Sequence, residues 1–282
     1  MGSLITRLGL SLIFAIFGLF TYFNSTSENP ITGETQRVQL TPQQEVVLGQ
    51  QGKQEVIQQY GGLYPDEALQ AYIDQIGQRV VEESIAGTTP YPFEFHVVGD
   101  SETVNAFALP GGQIFITTAM LAELEDESQL AGILGHEAAH VVARHGSERL
   151  ARQNLGALLV QAIAIAASDG ENNSGRQAAI IAQSVNQLLN LRYSREDELE
   201  SDRLGLEFMV DADYDPRGIV ELMEILNSIE QNGRPPEFLS THPNPENRVQ
   251  KLEALIAERF PNGIPPELTE GEGEIDPRTD LR

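Results

Sequence analysis

His136-Glu137-Ala138-Ala139-His140 constrains this chain more than any other stretch. It lies in a segment that reads as helix, and on a helix residues four apart sit on one face, one turn above each other. Both imidazoles can then point at a single metal ion. Glu137 projects beside them, where a carboxylate could take a proton from water activated by that metal. This is the working arrangement of a zinc peptidase site. The chain holds only five histidines, so two at this spacing around a glutamate are not easily an accident. The plain alternative is a helix carrying two histidines satisfied by ordinary polar partners. From Ser128 to His145 there is no proline, and Leu130, Ile133, Leu134, Val141 and Val142 place apolar side chains on more than one side, as in a buried helix. Gly132 and Gly135 each cost about 1 kcal/mol against alanine inside a helix, which points to close packing there.

A catalytic zinc site needs a third protein ligand and an open position. The chain has no cysteine, leaving carboxylates and the other histidines. The densest acidic cluster is Glu196-Asp197-Glu198-Leu199-Glu200-Ser201-Asp202. At about 100° per residue, Glu198, Asp202, Gly205 and Met209 share one helical face, and Glu196, Glu200, Arg203 and Glu207 share the opposite, solvated one. Glu198 is therefore the candidate third ligand. Asp202 is placed to accept from a ligand histidine and hold its ring.

Four separated motifs in this order resemble the HtpX-like and CAAX-prenyl-protease metallopeptidases, and within them most of all the periplasmic BepA-type branch. They are Asn105-Ala106-Phe107-Ala108-Leu109-Pro110-Gly111-Gly112, His136-Glu137-x-x-His140, Ser194-Arg195-x-x-Glu198-x-Glu200-Ser201-Asp202-x-x-Gly205, and His242-Pro243-Asn244-Pro245-Glu246-Asn247-Arg248. Ser201 stands where alanine is usual. The resemblance spans roughly residues 40 to 260. It implies a mainly α (α+β) fold, a helical zincin-type domain with a small β-hairpin or sheet at the active-site edge. It also implies one Zn2+ per chain on His136, His140 and Glu198, with Glu137 as general base. Several relatives carry a helical-repeat domain after the peptidase; none is expected here, so any adaptor would be a separate protein or absent.

At 282 residues and 40% hydrophobic, the chain can bury a full core. A net charge of −24 argues against nucleic acid and against attraction to anionic lipid through a basic patch. Arg7 precedes an apolar run to Phe23 with no A-x-A site after it, so residues 1–27 are expected to be a signal anchor, the alternative being a cleaved signal peptide. Either way the body would be extracytoplasmic, membrane-anchored or, if cleaved, secreted. Residues 28–40 read as a linker, 41–260 as the metallopeptidase domain, and 261–282 as an acidic, disordered tail. A second apolar run, Leu155 to Ala167, is short for a span and suits a buried helix. Helices are expected at about 42–60, 65–86, 118–125, 127–145, 148–168, 176–192, 195–210, 216–230 and 246–258. A strand is expected near 93–98, and a hairpin joins 104–108 to 113–117 around Pro110-Gly111-Gly112.

That hairpin offers a substrate-binding strand at Asn105, Ala106 and Phe107, where an extended polypeptide could pair by strand addition. His242 lies in a stiff loop between Thr241 and Pro243. It is a candidate fourth ligand or oxyanion stabiliser, or simply a cap for the helix near Glu246. Arg248 could secure this loop or bind a carboxylate, and spacing does not decide. His145, five residues past His140, is expected to point away from the ligands as a partner for the helix C-terminus. His96 has no evident partner, and Tyr193 and Arg195 are left outside the site. The expected activity is zinc-dependent endoproteolysis of unfolded or misfolded extracytoplasmic or membrane proteins. The alternative is a zinc-stabilised binding or chaperone-like module. Prenyl-peptide processing fits less well, because only one span is visible in the sequence.

Overall fold

The computed structural model of the chain describes residues 26–153, 174–190, 192–233, 235–243 and 248–271. The expected N-terminal anchor up to residue 25, the apolar run Leu155 to Ala167 and the end of the acidic tail lie outside them. No helix among the described residues is long and apolar enough to cross a membrane.

The order of elements is β1 (Thr26–Glu28), β2 (Thr35–Arg37), α1 (Pro42–Gln59), α2 (Glu67–Glu82), β3 (Glu94–Val98), β4 (Ala106–Leu109), β5 (Gln113–Thr117), α3 (Thr118–Leu121), α4 (Glu127–Val142), α5 (His145–Arg152), α6 (Ser174–Leu189), α7 (Arg195–Asp211), α8 (Arg217–Gln231), α9 (Glu237–Thr241) and α10 (Arg248–Arg259). The architecture is mainly helical with a small three-stranded sheet, as the sequence predicts, and a second, two-stranded sheet that it does not. Helix starts follow local chemistry. The Asp66 carboxylate accepts from the Ala68 and Leu69 amides at 2.9 and 3.0 Å, and Asp126 accepts from Gln129 at 3.0 Å. Thr41 with Gln44, and Ser194 with Asp197, form capping boxes at α1 and α7.

The larger sheet has strand order β3-β5-β4, with β3 parallel and β4 antiparallel to β5. Alternation along the strands divides the sheet between two apolar clusters. Ala106, Ile114 and Ile116 face the main core with α2, α4, α7 and α8, while Phe107, Leu109 and Phe115 face a second cluster with Leu48 and Val56 of α1 and Val185 of α6. The turn between β4 and β5 needs glycine. Gly111 has φ 89°, and a Cβ there would collide with the backbone of Glu45 and Val46 in α1.

α4 is the axis of the fold. Every residue from Ser128 to Val142 is buried. It packs against α7, α8 and α2 and against the face of the sheet. An all-round buried helix needs its terminal carbonyls satisfied from elsewhere. Here the expected linker is corrected. Instead of an unstructured connection, β1 and β2 form an antiparallel pair, Asn29 Nδ2 donates to Val142 O at 2.9 Å, and Gln36 Nε2 donates to Ala143 O. Short polar strands lack an apolar alternation, so the composition of this segment resembles a linker. The start of the expected disordered tail is also held. The Asp215 amide donates to Thr269 O and the Ser128 amide to Glu270 O, both at 2.9 Å, so residues up to 271 cover the N-terminus of α4.

Candidate metal centre

His136, Glu137 and His140 lie in the last two turns of α4, each at most 2% exposed. The two imidazoles meet with their Nε2 atoms 3.1 Å apart. The carboxylate comes from α7, and two glycines set the distance between the helices. A Cβ on Gly205 would lie 3.0 Å from the His136 backbone nitrogen, and one on Gly135 would lie 3.2 Å from Gly205 O. This close crossing brings Glu198 and Asp202, on the Gly205 face of α7, against His136. Glu198 Oε2 is 3.6 Å from His136 Nε2, and its Oε1 is 3.4 Å from His140 Nε2. Asp202 Oδ1 is 3.1 Å from His136 Nδ1, the nitrogen turned away from the cluster.

His242 enters from the turn after α9. Its Nδ1 is held by Thr241 Oγ1 at 3.0 Å and Phe238 O at 3.3 Å, and the Phe238 ring stacks on it. Its Nε2 therefore faces inward, 3.4 Å from Glu137 Oε1. One donor atom from each of His136, His140, Glu198 and His242 falls within 4.8 Å of all the others. Among the described residues, both Glu137 oxygens, Glu198 Oε1 and His242 Nε2 are buried with no hydrogen-bond partner, and Glu198 Oε2 has only an ion pair with Arg248 Nη1. Such a concentration of unsatisfied buried acceptors is costly unless a cation takes them up. Imidazole nitrogens and a carboxylate suit zinc, so the residues present fit the ion.

The surroundings include groups that spacing alone left undecided. Arg248, at the start of α10, is buried and forms a two-pronged pair with Asp202, with Nε–Oδ2 and Nη2–Oδ1 both 2.6 Å. Its Nη1 lies 2.9 Å from Glu198 Oε2. Burial raises the Glu198 carboxyl, but the Arg248 guanidinium and hydrogen bonds from His136 and His140 outweigh it and hold the pKa well below the usual carboxylate range. Glu137 has weaker help. Burial pushes its carboxyl up to about 8, with the positive charge of His136 opposing that rise. His242, also buried, is pushed down to about 3 and is a neutral imidazole.

His145 departs from its sequence-based expectation. It does not point away: its Nδ1 is 2.9 Å from His140 Nδ1, and its Nε2 is 3.0 Å from Glu200 Oε2. Five residues along a continuous helix would rotate it about 140° from His140. The helix instead ends at Val142, and Arg144 adopts φ 60°, so His145 starts a new helix that folds back. Glu200 accordingly is not on a freely solvated face; its side chain is only 13% exposed. Tyr193 stacks on His140 with centroids 3.9 Å apart. His96 finds Gln113 Oε1 at 3.0 Å and stays outside the cluster.

The proposed substrate strand is at the sheet edge, with one correction. Asn105 precedes β4, and its backbone is already engaged: its amide donates to Thr117 Oγ1 and its carbonyl accepts from the Thr117 amide. By antiparallel alternation, the backbone groups of Phe107 also point to β5. Those of Ala106 and Ala108 face outward, and Ala108 lies against Glu137.

Residues 67–256 match the model of peptidase family M48. The mitochondrial metalloendopeptidase OMA1 of Schizosaccharomyces pombe is 31% identical over 240 residues, 84% of this chain and 68% of that protein. The human metalloendopeptidase OMA1 is 31% identical over 88% of this chain and 49% of its own length. The beta-barrel assembly-enhancing protease of Escherichia coli is 30% identical over 66% of this chain and 39% of its own. The chain thus spans about half or less of the human and bacterial relatives. With these matches and the geometry of its His-His-Glu cluster, the chain belongs to peptidase family M48, whose members are zinc-dependent metallopeptidases.

Proposed function

We propose that this chain is an endopeptidase that hydrolyses unfolded or misfolded polypeptides on the extracytoplasmic side of a membrane, with Glu137 as general base. The observation that carries this reading is the meeting, at one place, of the ligand cluster, the unpaired Glu137 carboxylate and the outward edge of β4. Zinc held by His136, His140 and Glu198 supplies Lewis acidity to a peptide carbonyl and acidifies water. Glu137 accepts the proton of the attacking water at a carboxylate oxygen and returns it to the leaving amine. The Ala108 backbone and His242 Nε2, 3.4 Å from Oε1, face these oxygens without closing a short hydrogen bond, which leaves them available for both transfers. The outward amides and carbonyls of Ala106 and Ala108 bind an extended backbone by strand addition. Recognition through the backbone makes sequence preference loose and selects chains without stable structure.

His242 serves in one of two ways. As fourth ligand it closes the site until substrate displaces it; as hydrogen-bond donor it stabilises the oxyanion. His242→Ala distinguishes them, raising the rate in the first case and lowering it in the second. The location is supported by the Arg7-led apolar segment, by a relative named mitochondrial and by one named for β-barrel assembly.

The decisive experiment loads the protein and Glu137→Gln with zinc and follows cleavage of β-casein. The parent is expected to cut, and the variant to bind zinc yet cut at least about a hundredfold more slowly. A closed four-ligand set favours one rival, a zinc-stabilised binding module. That rival gains if the parent and His242→Ala both bind zinc and neither cleaves.

A further inference from the structure

The two ligand histidines are held from behind by different chains of groups. His136 Nδ1 meets Asp202, and that carboxylate is neutralised by Arg248. His140 Nδ1 meets no carboxylate directly. It meets His145 Nδ1 at 2.9 Å, and His145 passes the contact on to Glu200 Oε2 at 3.0 Å. Ser201 Oγ lies 3.3 Å from the same His145 nitrogen and limits the ring's rotation. Tyr193 stacks on His140 and approaches His145 edge-on, so both rings are confined.

We propose that His145, anchored by Glu200, is a positioning residue for the metal centre, fixing the tautomer and orientation of His140. This rests on His140 being a zinc ligand, as in the function proposed above. The hydrogen-bond inventory admits one consistent assignment. His140 presents Nε2 to the ligand cluster, so its ring proton is on Nδ1 and is donated to His145 Nδ1. His145 Nδ1 is then an acceptor, and its own proton sits on Nε2, donated to Glu200. Each contact then has one proton, and the negative charge of Glu200 strengthens the donor character of His140 through the intervening ring. Partners behind a ligand histidine commonly contribute 10- to 100-fold in metal affinity. Here the partner carboxylate comes from α7, the same helix that carries Glu198, and it acts through a histidine on α5.

The test measures zinc affinity by competition with a fluorescent chelator, together with 15N NMR of the histidine rings in the zinc-loaded protein. Parent spectra are expected to show His140 protonated at Nδ1 and His145 at Nε2. His145→Phe keeps the ring and loses the acceptor, and is expected to loosen zinc about 10- to 100-fold. His145→Asn puts an amide oxygen near the position of Nδ1 and is expected to recover most of that loss. Glu200→Ala, at a side chain 13% exposed, is expected to weaken zinc several-fold and to release the His145 tautomer. Should His145→Phe fail to fold, Glu200→Ala and the parent tautomers still decide. If zinc binds the parent and every variant equally, or His145 carries its proton on Nδ1, the inference is overturned and the metallopeptidase reading survives. Failure of the parent to bind zinc overturns both.

Discussion

At Arg248, the balance of charge in the site is decided by one side chain. Glu137, Glu198 and Asp202 are all buried, and three carboxylates without compensation would not remain ionised there. Arg248 answers two of them with its fork on Asp202 and its remaining nitrogen at Glu198. Removing one partner of a buried pair leaves the other charge stranded, so Arg248→Met is expected to destabilise the fold by about 3–5 kcal/mol in chemical denaturation. Arg248→Lys retains the charge but loses the planar fork, and should cost less while still weakening zinc binding. The sequence names Arg248 without assigning it, because a place in the first turn of the expected helix 246–258 does not say which distant carboxylates the side chain meets. The signal available was arithmetical: several acids aimed into one core require a cation besides the metal.

Between elements, the crossing of α4 and α7 matters most. Alanine is the better helix former by about 1 kcal/mol, so Gly205→Ala would stabilise an isolated α7. In the protein the added methyl meets the His136 backbone at 3.0–3.1 Å, and α4 is enclosed on every side. The steric term wins, and the variant is expected to lose about 1–3 kcal/mol and to bind zinc more weakly as α7 moves Glu198 away. Thermal melts with and without zinc check both parts. The same scale explains why α4 was legible and its end was not. Capping by Asp126, apolar residues all round and small residues at the crossings are written locally. The left-handed turn at Arg144 is held by long-range contacts, with Arg144 Nε on Glu45 at 3.0 Å and Nη2 on Leu40 O at 2.6 Å, while Tyr91 donates to the same Glu45 carboxylate.

For the whole molecule, the ligand cluster joins segments far apart in the chain: α4, α7 and the turn after α9. A ligand that binds only when these are assembled stabilises the native state by mass action, about 2.7 kcal/mol at a hundredfold excess over its dissociation constant. Chelation is therefore expected to lower the melting temperature by about 5–10 °C, and restored zinc to reverse it. The shift should vanish in His140→Ala, which lacks a donor.

The sequence by itself determined the periodic and the local: the helix carrying His136, Glu137 and His140, the face of α7 shared by Glu198, Asp202 and Gly205, the capped helix starts, and the hairpin around Gly111. Each depends on spacing within one element, where 3.6 or 2 residues per repeat governs which side chains share a face. Tertiary structure alone decided the rest. It turned the polar segment after residue 25 into strands that satisfy the carbonyls of α4, brought Arg248 into the core, and folded His145 back on His140. Those outcomes depend on which distant groups satisfy a buried charge or an unpaired carbonyl, and such partners have no fixed separation along the chain.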